Sequence, residues 1–336
     1  MYYKLDWHIT IGEYQLGFLD NVTIHESVDL LADTCEIMLP ATIENKAIKV
    51  NHVDEIEGKI KRGDVVKVWL GYDQKNIEAT DVPEFEGYIE RISTDDGSII
   101  LHCEDNMFLM RKVVADKQFK STDTKTIVQY LLSSVYPTMK INCSLNVVYN
   151  KFIISRATAF DVLKKIQEET RANIYIKKQG ADLVLNIHPP YIENHGYAQY
   201  SFQANIEKSD LEYKSSRDRR IEIEVENTGK DGKTIKVTSG TTGGDRVTIK
   251  GYGLSSAGMK VLADAEYRRR VYDGYEGSIT GWLIPFVKPG YSAYIHDEDY
   301  DFKNGWYYVV SVTTSADGRR GGVRKIQLGI KTAGNG

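Results

Sequence analysis

Histidine and cysteine, the residues that most often carry out chemistry, are scattered along this chain. The seven histidines form no H-x-H or H-E-x-x-H pair, and Cys35, Cys103 and Cys143 form no C-x-x-C pair. Metal sites and activated thiols are commonly built from such local spacings. The cysteines lie among apolar neighbours, which is typical of buried and unreactive thiols. The sequence therefore predicts no catalytic residue, no metal site and no cofactor.

Two stretches resemble binding loops but lack an essential part. The run Asp297-Glu-Asp299-Tyr-Asp301 spaces its carboxylates like a calcium loop, but Phe302 and Tyr308 stand where that loop needs glycine and glutamate. Gly240-Thr-Thr-Gly-Gly244 is followed by Asp245 and a predicted strand, whereas a phosphate loop continues with lysine and a helix. We interpret the first as a solvated loop and the second as a hairpin connection that needs positive φ.

Arginine clusters and C-terminal aromatic residues are the remaining candidates. Arg268-Arg-Arg270 ends a predicted helix, where cations favour the helix dipole, and this interpretation competes with anion binding. Trp282 and Trp306-Tyr-Tyr308 could line a glycan site or anchor a protein interface. The sequence leaves both interpretations of the aromatic residues open.

Length, charge and hydropathy narrow the class of protein. The chain has 336 residues, 41% of them hydrophobic, which predicts two or three globular domains. With 43 basic and 47 acidic residues, the net charge of −4 does not indicate a nucleic-acid binder driven by counterion release. No apolar run approaches the roughly 18 residues that a membrane helix needs, and the N-terminus alternates polar and apolar residues, unlike a signal peptide.

Hydrophobic periodicity predicts a mainly β (α+β) protein. Period-two alternation dominates residues 1–108, and a phase slip between Ile89 and Ile92 predicts a bulge or a strand that is covered on both faces. Helix signals follow within residues 109–195, with caps near Ser121 and at Thr158, and two strands then form a hairpin. Alternation returns in residues 196–336, together with a charged hairpin set and a helix that starts near Ser255. Residues 41–61 are predicted to form a loop or short helix.

Two stretches share the same order of turns and strands, which suggests an internal duplication. Lys61-Arg-Gly63 precedes a strand, and Phe85-Glu-Gly87 opens the next strand. Near the C-terminus, Lys288-Pro-Gly290 precedes a strand and Asn304-Gly305 opens the next. We therefore predict that Gly63, Gly87, Gly290 and Gly305 are structural turn and strand positions in two copies of one β unit.

Several runs, taken in order, resemble the baseplate hub, or late control D, family of contractile tails and related injection systems. They include Gly63-Asp-Val-Val-Lys-Val-Trp-Leu-Gly-Tyr72, Phe85-Glu-Gly-Tyr-Ile-Glu-Arg-Ile92, residues 99–111, residues 158–176 and residues 251–331. The resemblance implies two tail-tube-like β-barrel domains, residues 1–108 and 196–336, with a small α/β domain at 109–195 between them.

The same resemblance implies a structural, non-enzymatic protein. Three copies of a chain with two similar barrels would imitate a sixfold ring and join a hexameric tail tube to a trimeric spike. DNA would pass through the lumen without specific binding, and no part of the chain would insert into a membrane. The protein would reside in the bacterial cytoplasm during assembly and then in a tail or baseplate. The machine could be a phage tail, a tailocin or a secretion system, and piercing would belong to a separate chain.

Two other functional classes compete with the hub interpretation. A carbohydrate- or peptidoglycan-binding tail-associated protein would use the aromatic C-terminus. A tail-associated hydrolase would need a carboxylate or cysteine site that the sequence does not show.

Overall fold

The computed structural model describes residues 4–17, 19–40, 43–44, 49–50, 59–72, 82–95, 98–228, 233–317 and 321–332. Strands contain 52% of the residues and helices contain 17%, so the predicted mainly β fold is confirmed. Two compact units are present. The β unit comprises Met1–Phe108, Asn194–Leu211 and Glu276–Gly336, and the α/β unit comprises Leu109–Glu193 and Glu212–Tyr275. The predicted loop or helix at 41–61 lies mostly outside the described residues.

The strands of the first 108 residues follow the alternation of the sequence. They are β1 (Leu5–Ile11), β2 (Tyr14–Gln15), β3 (Asn21–Ser27), β4 (Thr34–Pro40), β5 (Ile43–Glu44), β6 (Lys49–Val50), β7 (Val65–Tyr72), β8 (Phe85–Asp95) and β9 (Ser98–Glu104). Alternate residues of these strands, such as Ile24, Ile37 and Leu101, are fully buried in one core. The period-two pattern predicts that one face of each strand is buried, and the hydrophobic effect of that burial stabilises the sheet.

The α/β unit is built from two separate segments. The first contains β10 (Lys117–Asp123), α1 (Thr124–Val135), β11 (Lys140–Cys143), β12 (Val148–Ile154), α2 (Ala159–Thr170), β13 (Asn173–Gln179) and β14 (Asp182–His188). After β15 (Tyr197–Ser201) and β16 (Lys208–Ser209) of the β unit, the second contains β17 (Glu212–Lys214), β18 (Ile221–Thr228), β19 (Thr234–Gly240), β20 (Asp245–Lys250) and α3 (Ser256–Arg270). The chain ends with β21 (Gly274–Glu276), β22 (Ser278–Gly281), β23 (Ser292–His296), β24 (Gly305–Asp317) and β25 (Gly321–Thr332).

The three predicted helices are confirmed, and their caps explain where they start. The Asp123 carboxylate accepts a hydrogen bond from the Thr126 N–H at 2.7 Å, and Ser255 accepts from Gly258. Thr158 and Asp161 form the predicted capping box. The hairpin of β13 and β14 is also present. In the described part of the chain, no helix is both long and apolar enough to cross a membrane.

One strand order occurs twice in the β unit. The N-terminal half has the spatial order β1, β7, β8, β9, β4, β3, and the C-terminal half has the order β15, β23, β24, β25, β22, β16. When only the six strands of each order are numbered along the chain, both orders read first, fourth, fifth, sixth, third, second. One pairing differs, because β1 is antiparallel to β7 and β15 is parallel to β23. The halves meet where β24 pairs antiparallel with β3, and we call this pairing the seam.

We predict that Gly87→Ala separates β8 from β9. A Cβ atom at Gly87 would lie 2.1 Å from the Glu104 carbonyl oxygen, so the backbone of one strand must move. The expected loss in the free energy of unfolding is about 2–4 kcal/mol, measured by urea denaturation. Glu86→Ala on the same strand serves as the control and should cost less than about 1 kcal/mol. Equal losses in the two variants would contradict the close-approach argument.

Candidate functional site

The two halves of the β unit carry the same turn and the same bulge. The Gly63 N–H donates to the Ile89 carbonyl at 2.8 Å, and the Ile89 N–H donates back to the Asp64 carbonyl at 3.0 Å. In the C-terminal half, Gly290 donates to Val309 at 2.9 Å, and Val309 donates to the Tyr291 carbonyl at 2.9 Å. Both turn glycines have positive φ, 91° and 81°.

The bulges fall directly after these bonds. The pairing of β8 with β9 shifts between Ile89 and Arg91, which confirms the predicted bulge. The pairing of β24 with β25 shifts twice, between Tyr307 and Val309 and again between Val309 and Ser311, and the second shift corresponds to the bulge of β8. The hydrogen bonds thus align Ile89 with Val309. Gly305, with φ of 151°, opens β24 four residues before Val309, whereas Gly87 lies two residues before Ile89.

A buried ion network joins the halves at the seam. Arg324 on β25 has no exposed surface, and its guanidinium donates to Glu84 and to the carbonyls of Leu283 and Pro285 at 2.6 and 2.8 Å. The Lys288 ammonium donates to Glu26 at 2.6 Å and to the Glu84 carbonyl. Both carboxylates belong to the N-terminal half, and both cations belong to the C-terminal half.

Two further carboxyl groups extend this network on the side of the N-terminal half. Asp33 accepts from the Ser27 N–H at 2.9 Å, and Asp105 accepts from the Met107 N–H at 3.0 Å. Burial raises the pKa of Asp105 to about 7. Burial, followed by the negative charges of Glu26 and Asp105, raises the pKa of Asp33 well above its usual range. As the pH rises, these carboxyl groups must lose their protons in a buried environment, and the resulting negative charges lower the stability of the folded state.

The loops that resembled binding motifs have structural roles. The Asp297 carboxylate accepts the N–H groups of Asp299 and Tyr300, so it closes its own turn. Gly240 and Gly243 have the expected positive φ, but the interpretation of this loop as a hairpin was wrong. β19 and β20 both pair with β18 and lie on opposite sides of it, so the loop crosses the end of the central strand.

The arginine cluster at the end of α3 surrounds one buried carboxylate. Glu266 is fully buried and accepts from Arg269 and Arg270 of its own helix and from Arg171 after α2. Burial acts to raise the pKa of Glu266, but the charges and hydrogen bonds of Arg171 and Arg269 lower it below its usual value. The cluster therefore fixes α2 to α3 within the α/β unit, which favours the structural interpretation over anion binding.

A serine, a histidine and a glutamate lie in line in the α/β unit. Ser144 Oγ is 2.7 Å from His188 Nδ1, and His188 Nε2 is 3.3 Å from Glu193 Oε1. Ser144 lies 44 residues before His188 in the sequence, which hid this arrangement. An acyl-transfer site also needs free backbone N–H groups beside the serine. Those of Ser144 and Leu145 both donate to the Ile187 carbonyl. The three residues therefore hold β11 and the end of β14 together.

Polar and aromatic surfaces of the β unit are also internally bonded. A cavity of about 340 Å³ is lined in part by His25, Ser311 and Asp210. His25 bonds to Thr313, Ser311 bonds to Gln327, and Asp210 accepts from Ser278. Trp306 packs edge to face against Tyr197 and Tyr294, each at a ring distance of 5.3 Å. Among the described residues, no group of three or more histidine, cysteine or acidic side chains could hold a metal ion.

Comparison with known proteins identifies the fold. No protein-family model and no curated protein matches the chain. A tail protein from Neisseria meningitidis MC58 superimposes with a TM-score of 0.63 at 13% identity, covering 97% of both chains. The 43 kDa tail protein of prophage MuSo2 from Shewanella oneidensis gives 0.64 at 15% identity, covering 97% of this chain and 98% of that one.

A secretion-system protein has the same fold. An Escherichia coli component of the type VI secretion system, itself similar to the T4 tail proteins gp27 and gp5, gives a TM-score of 0.60 at 11% identity. The match covers 97% of this chain and 77% of that one. This chain therefore has the fold of phage tail and type VI secretion proteins.

We predict that Arg324→Met destabilises the β unit by about 3–5 kcal/mol, because buried Glu84 loses the guanidinium that donates to it and keeps only the Lys288 ammonium, 4.0 Å from its carboxylate. Urea denaturation would measure this loss. The double variant Arg324→Met/Glu84→Gln should lose less than the sum of the two single variants. Lys325→Met, an exposed neighbour on the same strand, is the matched control. Simple additivity of the Arg324 and Glu84 substitutions would rule out the pairing of these two side chains.

We predict that Asp105→Asn stabilises the protein at pH 8 and has little effect at pH 4. The raised pKa of Asp105 means that the folded state holds a proton that the unfolded chain has lost. The contribution of this proton to the free energy of unfolding is therefore fully present below pH 4 and is lost as the pH rises to about 7. The gain at pH 8 is expected to be about 1–4 kcal/mol, measured by denaturation at both pH values. Glu13→Gln, which removes an exposed carboxylate, should leave the pH dependence unchanged.

Proposed function

We propose that this protein is a structural hub of a phage tail or a related injection system, which forms a homotrimer and joins a hexameric tail tube to a trimeric spike. The observation that carries the proposal is the repeated strand order, with its repeated turn and bulge. The tail-protein fold supports the same assignment.

The repeat gives the proposal a physical basis. Three copies of a chain with two equivalent halves offer six equivalent halves around a threefold axis. Such a ring can bind a sixfold tube on one side and a threefold spike on the other. In this proposal the two tube-like domains are the N-terminal half, within residues 1–108, and the C-terminal half, within residues 196–336. The tube protein and the spike protein are the partners.

The proposed role needs no catalytic group. The protein would act by presenting β-strand edges and loops to its neighbours, and DNA would pass through the lumen without specific contacts. It would assemble in the bacterial cytoplasm and then reside in the tail or baseplate. The internal bonding of the Ser144, His188 and Glu193 set supports a structural role for the α/β unit.

The assembly state tests the proposal. Light scattering of the purified chain should give a mass three times 38.1 kDa. Electron microscopy of the same sample should show rings with six similar lobes, because each copy contributes two halves. A monomer that persists at high concentration, or a ring with only three lobes, would argue against the hub function.

A further inference from the structure

The net charge of −4 conceals two oppositely charged parts of the chain. Residues 1–108 contain 9 basic and 22 acidic side chains, a net charge of −13. The rest of the β unit contains 8 of each sign. The α/β unit contains 26 basic and 17 acidic side chains, a net charge of +9. Charges separated on this scale steer association between complementary surfaces.

Most cations of the β18–β20 sheet already have partners. Lys236 bonds to Glu224 at 2.8 Å, and Arg246 bonds to Glu222 at 3.0 Å. Lys250 pairs with Glu226 on the same face. This sheet therefore neutralises its own charge, and the surplus positive charge of the α/β unit lies elsewhere.

The two-stranded sheet of β10 and β12 has the opposite arrangement. Lys120 stands directly opposite Lys151, and Gln118 stands opposite Ile153. Strand alternation places these four residues on one face, which we call the lysine face, while Phe152 and Ile154 are buried on the other side. Neither lysine forms an ion pair within the described part of the chain. Two like charges in direct cross-strand register destabilise a sheet.

The lysine face also exposes apolar surface. Ile153 is 46% exposed between the polar partners of its own face. An apolar residue flanked by cations has the composition of a protein contact, with a hydrophobic centre and a charged rim. Binding of duplex DNA would instead require a longer series of cations along the phosphates. These observations favour a protein partner with an acidic surface.

We propose that the lysine face binds the acidic residues 1–108 of a second copy of this chain. The inference rests on the proposed function, because it describes how neighbouring copies meet in the trimer. Each copy supplies one acidic region and one lysine face, so the contact can repeat head to tail around a closed ring. Exposed carboxylates on the acidic side include Glu13, Asp29 and Glu36.

Sedimentation analysis of K120E tests this contact. In K120E the new carboxylate faces Lys151 and relieves the like-charge pair, so the melting temperature in 1 M NaCl should be unchanged or higher. At 50 mM NaCl its association into trimers should be about tenfold weaker than that of the wild type. K177E makes the same charge change on an exposed residue of β13 and should alter association less than about twofold.

The outcomes separate the inference from the proposed function. If the wild type is a monomer at all salt concentrations, the hub function itself fails. If the trimer forms but K120E has no effect, or K120E and K177E weaken it equally, only the lysine-face contact is overturned. The contact is also overturned if K120E loses affinity for a short DNA duplex while trimer formation is unchanged.

Cross-linking identifies directly which surface binds the lysine face. A carbodiimide joins a lysine amine to a carboxylate that touches it, and mixing ¹⁴N and ¹⁵N chains distinguishes links between copies from links within one copy. Mixed-isotope peptides that join Lys120 or Lys151 to carboxylates within residues 1–108 are the expected result. Links from these lysines that are confined to one copy would overturn the contact.

Discussion

The β unit depends on a charge that has no access to water. Arg324 is fully buried, and an unpaired guanidinium there would cost several kcal/mol. Its partner Glu84 comes from the other half of the unit. The backbone carbonyls of Leu283 and Pro285 accept from the Arg324 Nη1 atom, and the Thr314 hydroxyl accepts from Nε. Neither half can satisfy its own buried charge. The ion network therefore specifies the arrangement of the halves at the seam, in addition to any stability that it contributes.

The repeated bulge shows why two halves with little sequence in common keep one geometry. In each half a turn glycine bonds to the middle strand, and the extra residue of the bulge follows directly. A bulge bends its strand and increases the local twist. The bond fixes where that bend occurs, so both sheets curl at equivalent positions. Backbone hydrogen bonds specify this geometry, and the side chains around them are free to differ.

The sequence predicted the elements well and their long-range partners poorly. Helix caps and the bulge near Ile89 are local signals, and the structure confirms them. The network was missed because a charged residue was not expected at an inward position. Glu26 continues the buried phase of Val22 and Ile24, and Arg324 precedes Ile326 and Leu328 in the same way. An acidic residue and a basic residue, each at a position where the strand pattern predicts an apolar side chain, could have indicated a buried ion pair.

The loop at residues 240–244 shows a second reason why the sequence could not give the topology. A glycine-rich connection between two strands is compatible with a hairpin or with a crossing of a third strand, since both need positive φ. Here β18 lies between the strands and carries the glutamates that pair with both of them. If β19 and β20 paired directly, Lys236 and Arg246 would lie on adjacent strands with no carboxylate between them. Electrostatics therefore selects the crossing, and this selection depends on residues outside the loop.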